Sequence, residues 1–386
     1  MLSFGVKKTI IYMFLPTLLL LGLLEGTARI AEIWRPPWQV DYGWGFNPDS
    51  RLFVSDANTP GLMVTAEGKQ VETVFQRQWF PRQKPREHFR VFFVGGSSIN
   101  YAKDDISALG LQLSLKFLGR RVFEFINAGG CGYGSHRLTP IVAELLEYQP
   151  DLIIFYEAHN EFEEAEQLEW VRLPTLRLQR VVYASAFCRF LRDAAASRQI
   201  SKMRRERNQQ LLRMTPKENG SWQEKTFTPE QIDARMNAFE HNLTLIATMC
   251  KARNVPLLLS TVPSNLCRPR LSDNETLTRI QALLSNQQYE QAAHLARESL
   301  KHSGRRQASD TENEIIRKVA REQGVPIADV EARVIAAEPH HVPGETLFQD
   351  WCHLNGKGRK LMMEVFEEHI LEHLNSTGEI RESGST

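Results

Sequence analysis

The chain has 386 residues and a formal net charge of +1, from 47 Lys and Arg against 46 Asp and Glu. That length accommodates one α/β domain of moderate size with an insertion or a small second module. The charge balance leaves no basic face of the kind nucleic-acid binding needs, so no nucleic-acid partner is expected.

The first segment stands apart. Thr9 to Leu24 reads TIIYMFLPTLLLLGLL without a charge; Lys7 and Lys8 precede it, and Glu25, Arg29, Glu32 and Arg35 follow it. An apolar run of roughly 16–20 residues is short but spans a bilayer when its flanks snorkel. A retained signal anchor over residues 1–35, a cleaved secretory signal and a buried helix are the three readings. Gly26-Thr27-Ala28 is a poor cleavage site because Glu25 and Arg29 crowd it, which favours the anchor. The lysines favour an inside N-terminus. A single-pass protein of the inner or plasma membrane is expected, with the rest of the chain in the periplasm or another extracytoplasmic space.

Residues 36–87 are rich in Pro, Gly and aromatic residues (PPWQVDYGWGFNPDS, then NTPG). They predict an extended, partly ordered connection with room for a small hairpin. Five apolar runs then predict buried strands: Arg90–Val94, Val122–Ile126, Leu152–Tyr156, Pro256–Thr261 and Val325–Val330. Continuous rather than alternating apolar runs fit a parallel sheet covered on both faces. Helical patterns lie between them, as at Thr139–Leu146, Gln231–Arg253 and Glu312–Gln323. Strands alternating with helices predict an α/β fold with a doubly wound parallel sheet.

Two segments interrupt this pattern. Ser197–Asn219 is polar and basic, read as a solvated helix and loop, with a patch for an anionic membrane surface or polysaccharide as the alternative. Glu275–His302 has the small–large spacing of a helical hairpin and resembles one degenerate tetratricopeptide unit. A lone unit cannot bury its own face, so it should pack on the main domain or on a protein partner. Residues 373–386 predict a polar tail.

The five cysteines are odd in number, and none has metal-ligand spacing. Neither a metal nor an organic cofactor is implied. Free buried thiols are the default, and a Cys131–Cys352 disulfide is the alternative in an oxidising compartment.

Four blocks carry chemistry. The first strand ends in Gly95-Gly96-Ser97-Ser98, where two glycines allow a tight turn and leave a serine at the start of a helix. Such a serine has an exposed hydroxyl and a free N–H, as an acyl-transfer nucleophile requires. A plain turn or a phosphate-cradling loop fits the same residues. The second strand runs into Asn127-Ala128-Gly129-Gly130-Cys131-Gly132-Tyr133-Gly134, whose glycines permit close approach to a ligand. The third runs into Glu157-Ala158-His159-Asn160-Glu161, at the ligand edge of an open sheet. There Asn160 can aim an amide N–H at an oxyanion; His159 and Glu161 are acid–base or metal candidates, but supporting or surface roles fit them better. Near the C-terminus, Asp350 and His353 stand three residues apart. The carboxylate can hold the imidazole by Nδ1 and leave Nε2 free to take a proton.

In order and placement, these blocks resemble the SGNH hydrolases, also called the GDSL family. The resemblance covers about residues 88–372, with the helical segment (about 270–304) as an insertion before the last strand. It implies the flavodoxin-like strand order 2-1-3-4-5 and Ser97, His353 and Asp350 as the catalytic residues. It also implies an oxyanion hole from the Ser97 and Gly132 N–H groups and the Asn160 side chain. Tyr156…His159-Asn160-Glu161-Phe162 and Val262-Pro263-Ser264-Asn265-Leu266 are similar to a bacterial branch with a membrane segment and a tetratricopeptide-like insertion. Gly96 stands where the family usually has Asp, and Ala158-His159-Asn160-Glu161 stands for Gly-x-Asn-Asp. These departures remove no named catalytic atom but unsettle inference of the substrate. Three functions follow as expectations. The first is hydrolysis of carboxylic esters on an acylated polysaccharide, lipid or small ester outside the cytoplasm. The second is O-acyl transfer at the same site, and the third a non-catalytic scaffold using the helical insertion.

Overall fold

The computed structural model describes residues 4–34, 50–66, 69, 75–118, 120–168, some positions between 178 and 194, 226–302 and 305–377. The basic segment 197–219, the first part of the connection and residues 378–386 of the tail lie outside them. The chain forms two compact units, Met1–Ser50 with Val171–Leu212, and Arg51–Trp170 with Arg213–Thr386.

In the first unit, helix α1 (Phe4–Trp34) has a mean hydropathy of 1.4 over Phe14–Trp34, with 6% of that stretch buried. By length and composition the 21-residue stretch Phe14–Trp34 can cross a membrane; it spans about 31 Å. The acids that follow the apolar run are engaged. Glu25 accepts hydrogen bonds from the Ser185 hydroxyl at 2.6 Å and from the Ala186 and Phe187 N–H groups at 3.0 and 3.1 Å. It thereby caps a second helical segment. Glu32 takes both forks of the Arg189 guanidinium at 2.7 and 2.6 Å.

The second unit opens with a three-stranded antiparallel sheet, β1 (Phe53–Ser55), β2 (Leu62–Thr65) and β3 (Trp79–Pro81), in the order β1-β2-β3. The expected extended connection is therefore folded at Phe53–Thr65 and at Trp79–Pro81. Phe53, Met63 and Phe80 join the main core, and Phe80 meets Phe53, Tyr148 and Phe92 edge-on at 4.8, 5.3 and 5.7 Å. Strands of three or four residues are too short to display a period, so the sequence shows only turn chemistry there.

The main sheet follows: β4 (His88–Gly95), α2 (Ser97–Tyr101), α3 (Lys103–Lys116), β5 (Val122–Gly129), α4 (Ser135–Leu145), β6 (Leu152–Tyr156) and α5 (Glu161–Leu168). Then come α6 (Pro229–Ala252), β7 (Leu257–Ser260), α7 (Asn274–Ser285), α8 (Tyr289–His302), α9 (Asp310–Gln323), β8 (Ile327–Ala328), α10 (Val330–Ala337) and α11 (Gly356–Ser376). All five strands are parallel, in the order β5-β4-β6-β7-β8, which is the flavodoxin-like order. Helices α4, α6 and α9 pack on one another, as do α3, α10 and α11. Covered in this way, β6 is buried along its whole length, which is why its sequence does not alternate.

Helix boundaries follow local chemistry. Thr228 and Gln231 form a capping box ahead of α6, with Pro229 in its first turn, and Ser309 and Glu312 do the same for α9. Arg90 is the one charge inside β4. Its fully buried guanidinium reaches Glu124 at 2.5 Å and the carbonyls of Tyr148 and Pro81 at 2.6 and 2.7 Å, tying β3 to the main sheet. Helices α7 and α8 form the expected hairpin. Ile280, Ala292, Ala296 and Leu300 pack with Leu266, Leu271 and Val342 in a small core of their own. The hairpin thus covers its apolar face with this chain.

Candidate active site

Strand order reverses around β4 and β6, so the loops after these strands open a crevice at the carboxyl edge of the sheet. Ser97 leaves the end of β4 and Asn160 follows the end of β6. Side chains at Gly95 and Gly96 would collide there: a Cβ on Gly95 meets the Tyr156 carbonyl oxygen, and one on Gly96 meets Asn160 and Glu157. The turn is then tied to β5. Asn127 Nδ2 donates to the Ile99 carbonyl at 2.6 Å, and Asn100 Nδ2 to the Gly129 carbonyl at 2.9 Å. Gln76 holds Asn100 Oδ1 at 2.9 Å, and Gln78 accepts the Asn127 N–H at 2.8 Å. Gln76 and Gln78 come from the stretch read as a connection, and their sequence context gave no sign of this role.

The C-terminal block reaches the same edge. Asp350, Trp351, Cys352 and His353 form a tight turn, closed by Asp350 Oδ1 accepting the Cys352 and His353 N–H groups at 2.9 and 2.8 Å. Asn265 Nδ2 donates to the Asp350 carbonyl at 3.0 Å and steadies the turn from the loop after β7. Asp350 Oδ2 lies 2.7 Å from His353 Nδ1, and His353 Nε2 lies 2.7 Å from Ser97 Oγ. Residues 256 positions apart in the chain are thus in direct contact. Burial alone would raise the Asp350 carboxyl. The hydrogen bond and charge of His353, with the two backbone N–H groups, outweigh it and hold the carboxyl down to about 2. An ionised Asp350 is an acceptor only, so Nδ1 carries the hydrogen and Nε2 presents a lone pair to the serine hydroxyl.

Gly132 lies in the left-handed region at φ +74, a conformation that suits glycine. Its carbonyl accepts from the Arg137 guanidinium, which fixes the orientation of that peptide. Asn160 spends one amide hydrogen on the Tyr133 carbonyl at 3.2 Å, leaving a second donor on the same nitrogen. The loop carrying Gly132 is anchored by two acids of α5. Glu161 accepts from the Ser135 N–H and hydroxyl at 2.6 and 3.0 Å. Glu164 accepts the N–H groups of Gly134, His136 and Arg137 at 3.1, 3.0 and 3.0 Å. Both acids share Arg235 at 2.6 Å. Burial pushes the Glu161 carboxyl up, whereas Arg235 and Arg137 outweigh burial at Glu164 and hold it down. Glu161 is therefore a buried support of the loop rather than a surface group.

His159 is also buried. Its Nδ1 accepts the Ala308 N–H at 3.1 Å, so Nε2 carries the hydrogen, and that atom has no partner among the described residues. Burial first, then the charge of His353, lowers its pKa to about 3, against the opposing pull of Asp350. The folded state keeps this imidazole neutral while an unfolded chain protonates it near pH 6.5. Stability is then full above pH 6.5 and falls on acidification toward pH 3, by about 1.4 kcal/mol per pH unit from this group. His159→Asn keeps an acceptor for Ala308 and removes the titration. Urea unfolding between pH 6 and 4 should show a shallower loss of stability in the variant; equal slopes would exclude His159 as the source.

Two features beyond the expected residues line the site. The Tyr101 ring lies 5.0 Å from the His353 ring, and its hydroxyl hydrogen-bonds Cys131; burial, then Cys131, raises it to about 12. Cys131 and Cys352 are both free, which corrects the alternative of a disulfide between them. Cys352 Sγ instead approaches His353 Nδ1 at 3.6 Å, and burial pushes the thiol well above its ordinary value. Asp350, Cys352 and His353 bring three potential ligand atoms within 4.8 Å. Both imidazole nitrogens are already engaged by Asp350 and Ser97, and the thiol is held protonated, so this donor set suits proton transfer better than metal binding.

Geometry of this kind defines a class: an α/β protein whose serine, histidine and aspartate meet at the switch point of a parallel sheet. No family model and no curated protein matches the sequence. Solved structures do match. One is an acetyl xylan esterase at 15% identity, covering 73% of this chain and 99% of that one, with a TM-score of 0.40. A GDSL-like lipase from Bacteroides thetaiotaomicron has 12% identity, 76% and 92% coverage and a TM-score of 0.38. An acetylxylan esterase from Geobacillus stearothermophilus has 10% identity, 73% and 93% coverage and a TM-score of 0.39.

Proposed function

We propose that this chain is a serine hydrolase of carboxylic esters. The observation that carries the proposal is the continuous hydrogen-bond chain Ser97 Oγ–His353 Nε2 and His353 Nδ1–Asp350 Oδ2, each link 2.7 Å long. Serine hydroxyls are poor nucleophiles until a base removes the proton as the bond forms. Here His353 Nε2 takes the Ser97 proton while Oγ attacks the ester carbonyl, and Asp350 stabilises the imidazolium. The oxyanion is received by the Ser97 and Gly132 N–H groups and the free Asn160 amide hydrogen. His353 then returns its proton to the leaving alcohol, and water, activated the same way, releases the acyl group and restores Ser97.

Membership of the SGNH family is part of this reading, supported by the order of the four blocks along the chain. The substrate would be an acylated polysaccharide, lipid or small ester outside the cytoplasm. Two observations support that location: α1 is long and apolar enough to cross a bilayer, and Lys7 and Lys8 favour an inside N-terminus. In this reading residues 88–372 form the hydrolase domain, carried on a single-pass anchor. A fluorophosphonate probe should label the purified full-length protein at Ser97, identified by peptide mass spectrometry, and Ser97→Ala should abolish labelling. An unlabelled protein, or label on another serine, would remove the proposal.

A further inference from the structure

The residue before the candidate nucleophile has no side chain, and the space for one is filled from the neighbouring strand. A Cβ on Gly96 would collide with Glu157 Oε2 and with Asn160 Nδ2. Glu157 directly follows the last residue of β6 and is 1% exposed. Its Oε1 accepts the Asn160 backbone N–H at 2.7 Å, and the same carboxyl accepts the Gly96 backbone N–H. Gly96 is also the N-cap of α2 and supplies no side-chain cap to it, so the turn depends on groups brought from elsewhere. A single carboxyl therefore joins the residue ahead of Ser97 to the residue whose amide would receive the oxyanion.

We infer that Glu157 is a positioning residue for acyl transfer, whose carboxyl sets the separation between Ser97 and the Asn160 amide. This rests on the reading of Ser97 as nucleophile. Glu157 acts through two backbone N–H groups on opposite sides of the β4–β6 crevice, and it moves no proton to or from substrate. Attack on a carbonyl requires the hydroxyl and the oxyanion donors to be held together within about 0.5 Å of the productive geometry. A slip of about 1 Å costs on the order of 100-fold in rate. Burial holds this carboxyl well above its ordinary value, yet both oxygens of a neutral carboxyl can still accept, whereas the amide nitrogen of glutamine can only donate, which makes it a poor replacement.

The test uses the full-length protein in detergent, with 4-nitrophenyl acetate hydrolysis and fluorophosphonate labelling of Ser97 as readouts. Glu157→Gln should lower kcat and the labelling rate by about 100-fold, with KM within about threefold of the parent. Glu157→Ala should lose at least as much in kcat, again with KM within about threefold of the parent, a split that a purely structural role would not produce. If Glu157→Ala does not fold, Glu157→Gln still decides the matter. A parent that is labelled beside a Glu157→Gln variant labelled at the same rate would overturn the positioning role and leave the nucleophile in place. A parent that is not labelled at Ser97 would overturn both.

Discussion

Ser97→Ala should lower the rate of 4-nitrophenyl acetate hydrolysis by about 10⁴-fold or more and leave the thermal unfolding midpoint near that of the parent. Both halves follow from the site. Removing the nucleophile leaves only binding and oxyanion donors, a residual that covers a small part of a serine hydrolase's rate enhancement. The hydroxyl's bond to His353 is its one described side-chain contact, and Ser97 is half-buried, so the missing oxygen leaves no large cavity. His353→Ala should cost as much, and the double variant little more than either single one, because the two groups act as a unit. Steady-state kinetics on the three variants checks this. Losses that multiply in the double variant would mean that Ser97 and His353 act independently, and the proposed proton transfer would have no support.

The second large effect is on stability. Arg235→Leu should lower the unfolding free energy by about 3–5 kcal/mol, because it strips the shared cation from two fully buried carboxylates. Glu161 and Glu164 would keep their backbone N–H donors but lose the guanidinium at 2.6 Å. Those same carboxylates hold Gly134, Ser135, His136 and Arg137, so the loop carrying Gly132 should loosen and activity should fall along with stability. Replacing all three residues by apolar side chains would not restore stability, because the Arg137 guanidinium and the N–H groups of Gly134, Ser135, His136 and Arg137 would then lose their acceptors. Equilibrium urea unfolding measures each. A change below about 1 kcal/mol for Arg235→Leu would show that the buried acids are neutralised or solvated by other means.

Much of this architecture is legible in the order of residues. Runs such as Leu152–Tyr156 are apolar without alternation because both faces of the strand are covered, and that signal is local. The helices announce themselves by caps: Thr228 with Gln231, Ser309 with Glu312, and Asn355 accepting the Lys357 and Gly358 N–H groups ahead of α11. Glycine pairs before a serine and a D-x-x-H near the end mark residues whose chemistry suits a triad. Short elements leave no such trace, which is why the β1–β3 sheet reads as a connection although Phe53 and Phe80 belong to the core.

What residue order determined by itself was the alternation of strands and helices, the apolar N-terminal helix, and the side chains able to do acyl-transfer chemistry. Tertiary structure alone decided which of them meet. Only the parallel sheet, by placing the end of β4 beside the end of β6 and under the C-terminal turn, puts Ser97 against His353. The same packing turned Glu157, Glu161 and His159 from polar residues after a strand into buried supports with definite partners. Cys131 and Cys352 are both free thiols in it. The physical reason is one of range. Periodicity and capping act over a few residues, whereas a buried polar atom takes whichever partner folding brings within about 3 Å, however distant in the chain.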